Sequence, residues 1–206
     1  MTVLTLQPAE ADAIDTFIDS GSGNVDTNFG TNAYLQIGEW NAGTGLSRTL
    51  IKFDLSSIPV SAIISSAVFT ITYGNTDASN SARTLSAYRQ KRAWTEAGAT
   101  WNKYDGASSW QTAGGLGAND CEATDIGGVS VAASPANNTA YDITLTAAKV
   151  QEWVSGAFAN NGFLLKVATE TDDQLCYDSS TNATASYRPK LVVTYTVPGY
   201  PQVIVC

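Results

Sequence analysis

Three aromatic side chains lie in polar stretches rich in glycine or asparagine, where a loop would expose them to solvent. They are Trp40, Tyr104 and Trp110. A flat aromatic ring with polar groups beside it suits stacking against the C–H face of a sugar. The sequence therefore predicts a glycan-binding surface built on these rings. The alternative is that each ring packs its own loop down onto the protein.

The densest basic group in the chain is Arg89, Lys91 and Arg92. Alternate residues of a strand share a face, so Arg89 and Lys91 are predicted to point the same way. Such a patch could bind a carboxylate or a sulfate group and is a second candidate for glycan contact. The alternative is a solvated edge strand, whose charges discourage pairing with other chains.

Two acidic clusters could supply oxygen ligands to a calcium ion. Their members are Asp12, Asp15 and Asp19 near the start, and Asp120, Glu122 and Asp125 further along. Neither cluster has the spacing of an EF-hand loop. We therefore predict no cofactor and assign no metal ligand, with a structural calcium ion as the alternative. No local signature marks a catalytic pair of carboxylates, so no catalytic residue is assigned.

The overall composition excludes several kinds of function. The chain contains no histidine, which removes Ser-His-Asp and Cys-His catalysis and histidine metal ligands. It carries 19 acidic against 11 basic residues, a formal net charge of -8. This balance argues against a nucleic-acid partner, which calls for a basic surface. The apolar runs are short compared with the ~20 residues that cross a bilayer, so no membrane partner is predicted.

Three cysteines, Cys121, Cys176 and Cys206, form an odd set. An odd count cannot make a closed disulfide framework. Either one pair coexists with a free thiol, or all three thiols are free. The spacing does not fit a zinc site.

The elements that must position these residues are predominantly strands. Charged residues make up only 15% of the chain, and threonine, serine and asparagine are abundant, which is typical of strands joined by polar turns. Alternating apolar residues predict strands at 4–6, 14–19, 34–37, 49–53, 63–73, 85–90, 141–145, 163–167, 174–177 and 191–197. Because each such strand must bury one face, we predict an all-β, antiparallel two-sheet β-sandwich.

One helix and one irregular stretch interrupt this pattern. Val150, Trp153 and Val154 have helical spacing, which predicts a helix over 147–155, capped by Thr146 and ended by Gly156. Trp153 is then a lid on one end of the sandwich. Residues 94–135 contain repeated glycines, and there we predict a surface loop with short strands near 100–101 and 129–131.

Several segments occur in an order that resembles one family. They are 15–22 with 28–30, 48–59, 64–67, 94–96 with 100–102, 150–156, 161–166 and 188–191. Together they resemble the DNRLRE-domain family, also classed as carbohydrate-binding module family 96, from about Leu4 to Thr196. The resemblance implies a jelly-roll β-sandwich without catalytic machinery. Part of the family is associated with glycan binding, including binding to acidic polysaccharides. A net charge of -8 would repel such a polyanion at long range.

Within these segments most residues have a structural interpretation. Asp54 and Ser56 are expected to hydrogen-bond the local backbone, and Pro59 to begin a turn. Trp94 and Trp101 flank a loop and are expected to anchor it, with a role as a sugar platform as the alternative.

The chain divides into a sandwich over 1–197 and a C-terminal arm over 198–206. In the arm a Pro-Gly-Tyr-Pro spacer precedes Gln202 to Cys206, which is apolar and β-prone. Val203, Ile204 and Val205 are the candidate assembly residues. Either the arm packs back on its own sandwich, or it adds a strand to a protein partner in a larger assembly.

These observations predict a non-catalytic, glycan-binding structural module exposed on a larger assembly. The chain begins with Met1 and has no signal peptide, which favours a phage virion decoration or tail-associated protein. The alternative is a carbohydrate-binding appendage of a secreted polysaccharide-degrading enzyme or of a cell-surface adhesin. The expected partner is a polysaccharide or cell-surface glycan, and the expected location is a virion or an extracellular surface.

Overall fold

The computed structural model describes residues 1–7, 13–40, 45–74, 81–170 and 174–199. These residues form eleven strands and one α-helix. The strands are β1 (Thr2–Leu6), β2 (Ala13–Asp19), β3 (Tyr34–Trp40), β4 (Gly45–Phe53), β5 (Ile63–Thr72), β6 (Arg83–Gln90), β7 (Cys121–Val131), β8 (Ala140–Leu145), β9 (Phe163–Val167), β10 (Leu175–Asp178) and β11 (Lys190–Thr196). The helix, α1, spans Ala147–Ser155 and follows β8.

The strands pair antiparallel in two sheets. The small sheet has the order β1-β11-β5-β8, and the large sheet has the order β10-β3-β4-β9-β6-β7, with β2 added along β4. Strand β11 illustrates why they stack: Leu191, Val193 and Tyr195 are buried, while the residues between them are partly exposed. An alternating strand must bury its apolar face against a second sheet. The predicted antiparallel two-sheet β-sandwich with one short helix is confirmed.

The main core lies between the two sheets and is rich in aromatic and branched side chains. Phe69 of the small sheet meets Phe163 and Phe53 of the large sheet edge to face, with ring centroids 5.0 and 6.0 Å apart. Edge-to-face packing of this kind adds to the free energy of burial.

A second apolar cluster consists of strand residues and residues of the irregular stretch. Ile18, Leu50 and Leu164 pack here against Trp94 and Trp110. Residues 91–120 therefore form an outer layer that covers strand residues of the large sheet. The short strand expected near 100–101 is absent from this described stretch, which contains only an isolated bridge between Lys103 and Ser109.

The loop predicted to continue to residue 135 is wrong for 121–131, because these residues form β7. Strand β7 pairs with β6 along most of its length, with irregular register near Tyr88. The glycines that suggested a loop have a packing role. A Cβ atom on Gly127 would lie 3.1 Å from Ile143 Cγ2, so glycine permits β7 to approach β8 closely. Strand β6 lies between β9 and β7, so the expectation of an edge strand at β6 is also wrong.

Helix α1 closes one end of the sandwich. Val150, Trp153 and Val154 are buried, as their spacing predicts, and Gly156 ends the helix in the left-handed conformation with φ 76°. Thr146 occupies the N-cap position without capping the helix, because its hydroxyl donates to the Ile126 carbonyl at 3.1 Å. Gln151 ties the helix to the small sheet: its amide accepts from Ile64 N at 2.8 Å and donates to the Ala62 carbonyl at 2.9 Å.

The described cysteines are structural. Cys121 and Cys176 are both buried, and neither forms a disulfide. Burial raises the pKa of the Cys121 thiol to about 12, which makes it a poor nucleophile at neutral pH. Cys206 lies outside the described residues. Across the described ranges, none of the helical structure is long and apolar enough to cross a membrane.

Candidate functional site

A cleft of about 580 Å³ lies between the end of β4, the turn that follows it and helix α1. This volume is within the range of small-ligand sites. Its apolar lining includes Leu55, Ile58, Val60, Trp153 and Val154, and its polar lining consists of Lys52, Asp54, Ser56 and Asn160.

The turn after β4 forms one polar wall of the cleft. Asp54 Oδ1 accepts a hydrogen bond from Ser56 N at 2.9 Å, and Asp54 Oδ2 accepts one from Ser56 Oγ at 3.0 Å. Donation from the Ser56 backbone holds the pKa of Asp54 below its ordinary value, so its carboxylate stays ionised and in place. The expected local role of Asp54 and Ser56 is confirmed. Pro59 begins a turn as expected, since its carbonyl accepts from Ala62 N at 2.8 Å.

A second polar group of the cleft is Asn160, in the connection between α1 and β9. Its Nδ2 donates to the Phe53 carbonyl at 2.8 Å, and its Oδ1 accepts from Gly162 N at 3.2 Å. Gly162 has φ 71°, and a Cβ atom there would collide with the Ile51 carbonyl and lie 2.8 Å from Lys52. Only glycine fits this turn, which fixes Asn160 beside the end of β4.

Two groups at the cleft have hydrogen-bonding capacity left over. The Lys52 ammonium forms no hydrogen bond or ion pair with any residue that the structure describes. Trp153 is only 6% exposed, and its buried Nε1 has no hydrogen-bond partner within the described ranges. A buried donor without a partner is uncommon in folded proteins. The cleft thus offers the Lys52 ammonium as a donor and the Asp54 carboxylate as an acceptor beside an apolar lining, an arrangement suited to a small hydroxylated ligand.

The aromatic rings predicted to be exposed are not grouped at this cleft. Trp110 is only 4% exposed, and its Nε1 donates to the Thr100 carbonyl at 2.9 Å. Tyr104 is half-buried and packs edge to face against Trp110, with centroids 5.6 Å apart. The expected exposure of Trp110 is wrong, because the ring anchors the outer layer to the large sheet. Trp40 lies on β3, and its side chain is outside the described part of the chain.

Further contacts hold the outer layer in place. Arg48, on β4, donates to the Gly114 carbonyl at 2.7 Å and pairs with both carboxylate oxygens of Glu170 at 2.7 and 2.9 Å. Its guanidinium also lies 4.7 Å from the centroid of the Trp101 ring. Trp94, which is 5% exposed, donates from Nε1 to the Asn161 carbonyl at 2.8 Å. Trp94 and Trp101 therefore anchor the layer, as the sequence suggests.

The basic patch predicted at Arg89, Lys91 and Arg92 does not form. Arg89 is 2% exposed, pairs with Glu122 and Glu152, and lies 3.7 Å from the centroid of the Phe158 ring. Arg92 Nε pairs with Asp120 at 2.6 Å, and Lys91 Nζ donates to the Ala118 carbonyl at 2.8 Å. The strand ends at Gln90, so the alternation that would align the side chains stops there.

Replacing Arg89 with Met is expected to lower the free energy of unfolding by about 3 kcal/mol, because two partly buried carboxylates lose their shared cation. Urea unfolding of the two proteins measures the change. Lys91→Met is the matched control and should stay within about 0.5 kcal/mol of the parent, since Lys91 is exposed. Equal effects of the two substitutions would contradict a buried structural role for Arg89.

The acidic residues of the two predicted clusters do not form a shared site, because their carboxylates bind separate partners. Asp19 accepts from Gly21 N, Asn24 Nδ2 and Ser47 Oγ, at 2.8, 2.9 and 2.6 Å. Asp120 is fully buried against Arg92. Asp12 lies outside the described residues. Within those residues, no group of three or more histidine, cysteine, aspartate or glutamate side chains is arranged to hold a metal ion.

Sequence reasoning missed the cleft as a site. From the sequence, Asp54 and Ser56 predict only a turn after β4, and nothing in the pattern marks Asn160 as a site residue. The signal that could have found the site is Lys52, a cation two residues before the Asp54-Leu55-Ser56 turn.

Comparison with known families agrees with this architecture. The family model of the disaggregatase related repeat domain matches residues 21–193. The chain belongs to this family. The match begins just after β2 and ends within β11, so this disaggregatase related repeat domain includes the outer layer and most of the cleft lining. No curated protein matches the chain.

Proposed function

We propose that this disaggregatase related repeat domain is a non-catalytic glycan-binding module. The observation that carries the proposal is the cleft beside α1, where an apolar lining adjoins Lys52, Asp54 and Asn160. Sugars combine apolar C–H faces with hydroxyl groups, and such a cleft can satisfy both. The absence of histidine from the chain further supports a binding role over a catalytic one.

We propose that the ligand is a neutral glycan. The cleft contains one cation and one anion, Lys52 and Asp54, which offset each other. The whole chain has a formal net charge of -8, which disfavours the approach of a polyanion. Of the predicted basic patch that could have offset this charge, Arg89 and Arg92 are neutralised in ion pairs. An ionised Asp54 can still accept hydrogen bonds from sugar hydroxyls, because each carboxylate oxygen accepts more than one.

The setting that fits best is an extracellular surface, with the domain attached to a larger protein. The family is named for its relation to disaggregatase, which favours a module carried by an enzyme-associated protein. The resemblance to the DNRLRE-domain family supports the same setting. A virion decoration protein was the first expectation from the sequence and stays a prediction.

Lys52→Gln is the sharpest test of the cleft. An immobilised array of neutral and acidic polysaccharides first identifies a ligand, and calorimetric titration then measures its dissociation constant. Losing one charged hydrogen bond costs about 1.5 kcal/mol, so binding should weaken about tenfold. Lys190→Gln is the control, because Lys190 is a strand lysine of similar exposure that does not line the cleft.

Two results would overturn this proposal. One is an array on which no polysaccharide, neutral or acidic, retains the protein. The other is a ligand that binds the Lys52→Gln and Lys190→Gln proteins equally well. Preference for acidic over neutral polysaccharides would overturn the ligand class alone.

A further inference from the structure

One tyrosine differs from the other aromatic residues in its exposure. Of the aromatic side chains that the structure describes, only Tyr34 is more than a third exposed, at 45%. It is the first residue of β3 and does not line the cleft. Tyr104 and Trp110, which the sequence predicts to be exposed, are half-buried and buried. A flat aromatic face open to solvent is therefore present outside the cleft.

Two phenylalanines hold this ring in its orientation. Phe17, on β2, is 2% exposed, and its ring centroid lies 5.9 Å from that of Tyr34, with 25° between the ring planes. Phe29 stacks on Phe17 more closely, at 4.1 Å and 13°. Stacked rings attract each other beyond the effect of area burial. Because Tyr34 is packed in this way, its ring loses little freedom when a ligand binds to it.

Polar groups border the exposed ring. Asp178, on β10, lies directly opposite Tyr34 in the strand register. The turn that follows β10 packs on the chain just before Tyr34, since the hydroxyls of Ser179 and Thr181 donate to the Asn32 carbonyl at 2.7 and 2.9 Å. The half-buried side-chain amide of Asn32 forms no hydrogen bond with any residue that the structure describes. A lone exposed ring is ordinary on a protein surface, but a ring held in a stack and bordered by polar groups is suited to binding.

We propose that Tyr34 is a second sugar-binding contact of this domain, on which the apolar C–H face of one sugar ring of a neutral glycan stacks. The inference rests on the proposed function, since it takes the ligand to be a glycan. The contact is separate from the cleft: Ile14 lines the cleft, and Phe17 lies three residues further along β2, about 10 Å away. A polysaccharide repeats its sugar units, so it can occupy both contacts, which raises the overall affinity.

Tyr34→Leu tests this contact in the full chain, because leucine still covers Phe17 but has no flat face. Calorimetric titration with the polysaccharide that the array identifies should show binding about fivefold weaker than that of the parent. Tyr34→Phe keeps the ring and should bind within about twofold of the parent. Val3→Ala is the control, because Val3 is an apolar residue that is 62% exposed on β1 and does not line the cleft. It should bind as the parent does.

Comparison with Lys52→Gln separates this contact from the cleft. If Lys52→Gln weakens binding and Tyr34→Leu does not, the contact at Tyr34 is overturned and the cleft stands. If Tyr34→Leu weakens binding and Lys52→Gln does not, the contact at Tyr34 is supported and the cleft is overturned. Equal losses in the Tyr34→Phe and Tyr34→Leu proteins also overturn the inference, because the flat ring then makes no difference. A protein that binds no polysaccharide overturns both the contact and the cleft.

Discussion

Replacing Gly114 with Ala is expected to lower the free energy of unfolding by about 3–5 kcal/mol. Gly114 has φ 84°, which an L side chain rarely adopts, so alanine is strained there. Its Cβ atom would also overlap Arg48 Nη1 and lie 2.7 Å from the Trp101 ring. The substitution therefore disturbs the point where β4 holds the outer layer, and thermal or urea unfolding measures the loss.

The Gly23→Ala variant separates the cost of backbone strain from the cost of steric overlap at the added Cβ atom. Gly23 has φ 89°, almost the same backbone conformation, but an added Cβ atom meets nothing within 4 Å. Its substitution should cost only the backbone strain, about 1–2 kcal/mol. If both variants lose the same free energy of unfolding, the contacts among Arg48, Trp101 and Gly114 do not stabilise the fold. The outer layer is then a loosely attached loop.

The second large effect is a decline in stability between about pH 4 and pH 7, caused by Asp15. This side chain is 2% exposed, and burial raises the pKa of its carboxyl from 3.8 to about 7. The Glu96 carboxylate, which accepts from Asp15 N at 2.9 Å, raises the pKa further, while donation from Ser180 N opposes the shift.

The sign of this pH dependence follows from the number of protons bound by the folded and unfolded states. Below about pH 4 Asp15 is protonated in both states, and its contribution to stability is fully present. Between pH 4 and pH 7 the unfolded chain has lost the proton and the folded protein keeps it, so each pH unit costs about 1.4 kcal/mol. The total loss is about 4 kcal/mol by pH 7, after which the contribution of Asp15 no longer changes.

Asp15→Asn tests this linkage, because asparagine is neutral at every pH. Urea unfolding at pH 4, 5, 6 and 7 should show the variant gaining about 4 kcal/mol relative to the parent across that range. Asp125→Asn, an exposed position on β7, should follow the parent. Parallel pH profiles of the Asp15→Asn protein and the parent would contradict a protonated Asp15 in the folded state.

The strands could be predicted from the sequence because their faces differ in polarity. Strands β5 and β11 alternate, and β9 is apolar except for Lys166, so their pairing follows from burying the apolar residues. The outer layer could not be predicted in the same way. Its order depends on contacts distant in sequence, such as Asn28 Nδ2 donating to the carbonyls of Glu96 and Ala99 at 2.6 and 2.8 Å. No local periodicity encodes such contacts.

The candidate site shows the same division. The turn at Asp54 and Ser56 could be predicted from the sequence, because these two hydrogen-bonding residues lie only two positions apart. The exposure predicted for Trp110 and Arg89 from their polar neighbours in sequence is wrong, because both side chains contact distant segments. The Trp110 ring packs in a cluster with Leu50 and Leu164. The Arg89 guanidinium pairs with Glu122 and Glu152. The cleft combines β4 with the α1–β9 connection, about a hundred residues apart, so only the fold brings its walls together.

Indole resonances offer the most direct test of the cleft as the binding site. The chain has 5 tryptophans, so a ¹⁵N correlation spectrum of the full chain should contain five resolvable indole N–H signals. On titration with a polysaccharide fragment that the array identifies, the Trp153 signal should shift, together with the backbone amides of Lys52 to Ile58 and of Val60. The signals of Trp94, Trp101 and Trp110 should stay in place. A stationary Trp153 signal with shifts at Trp101 or Trp110 would contradict the cleft and place the ligand on the outer layer.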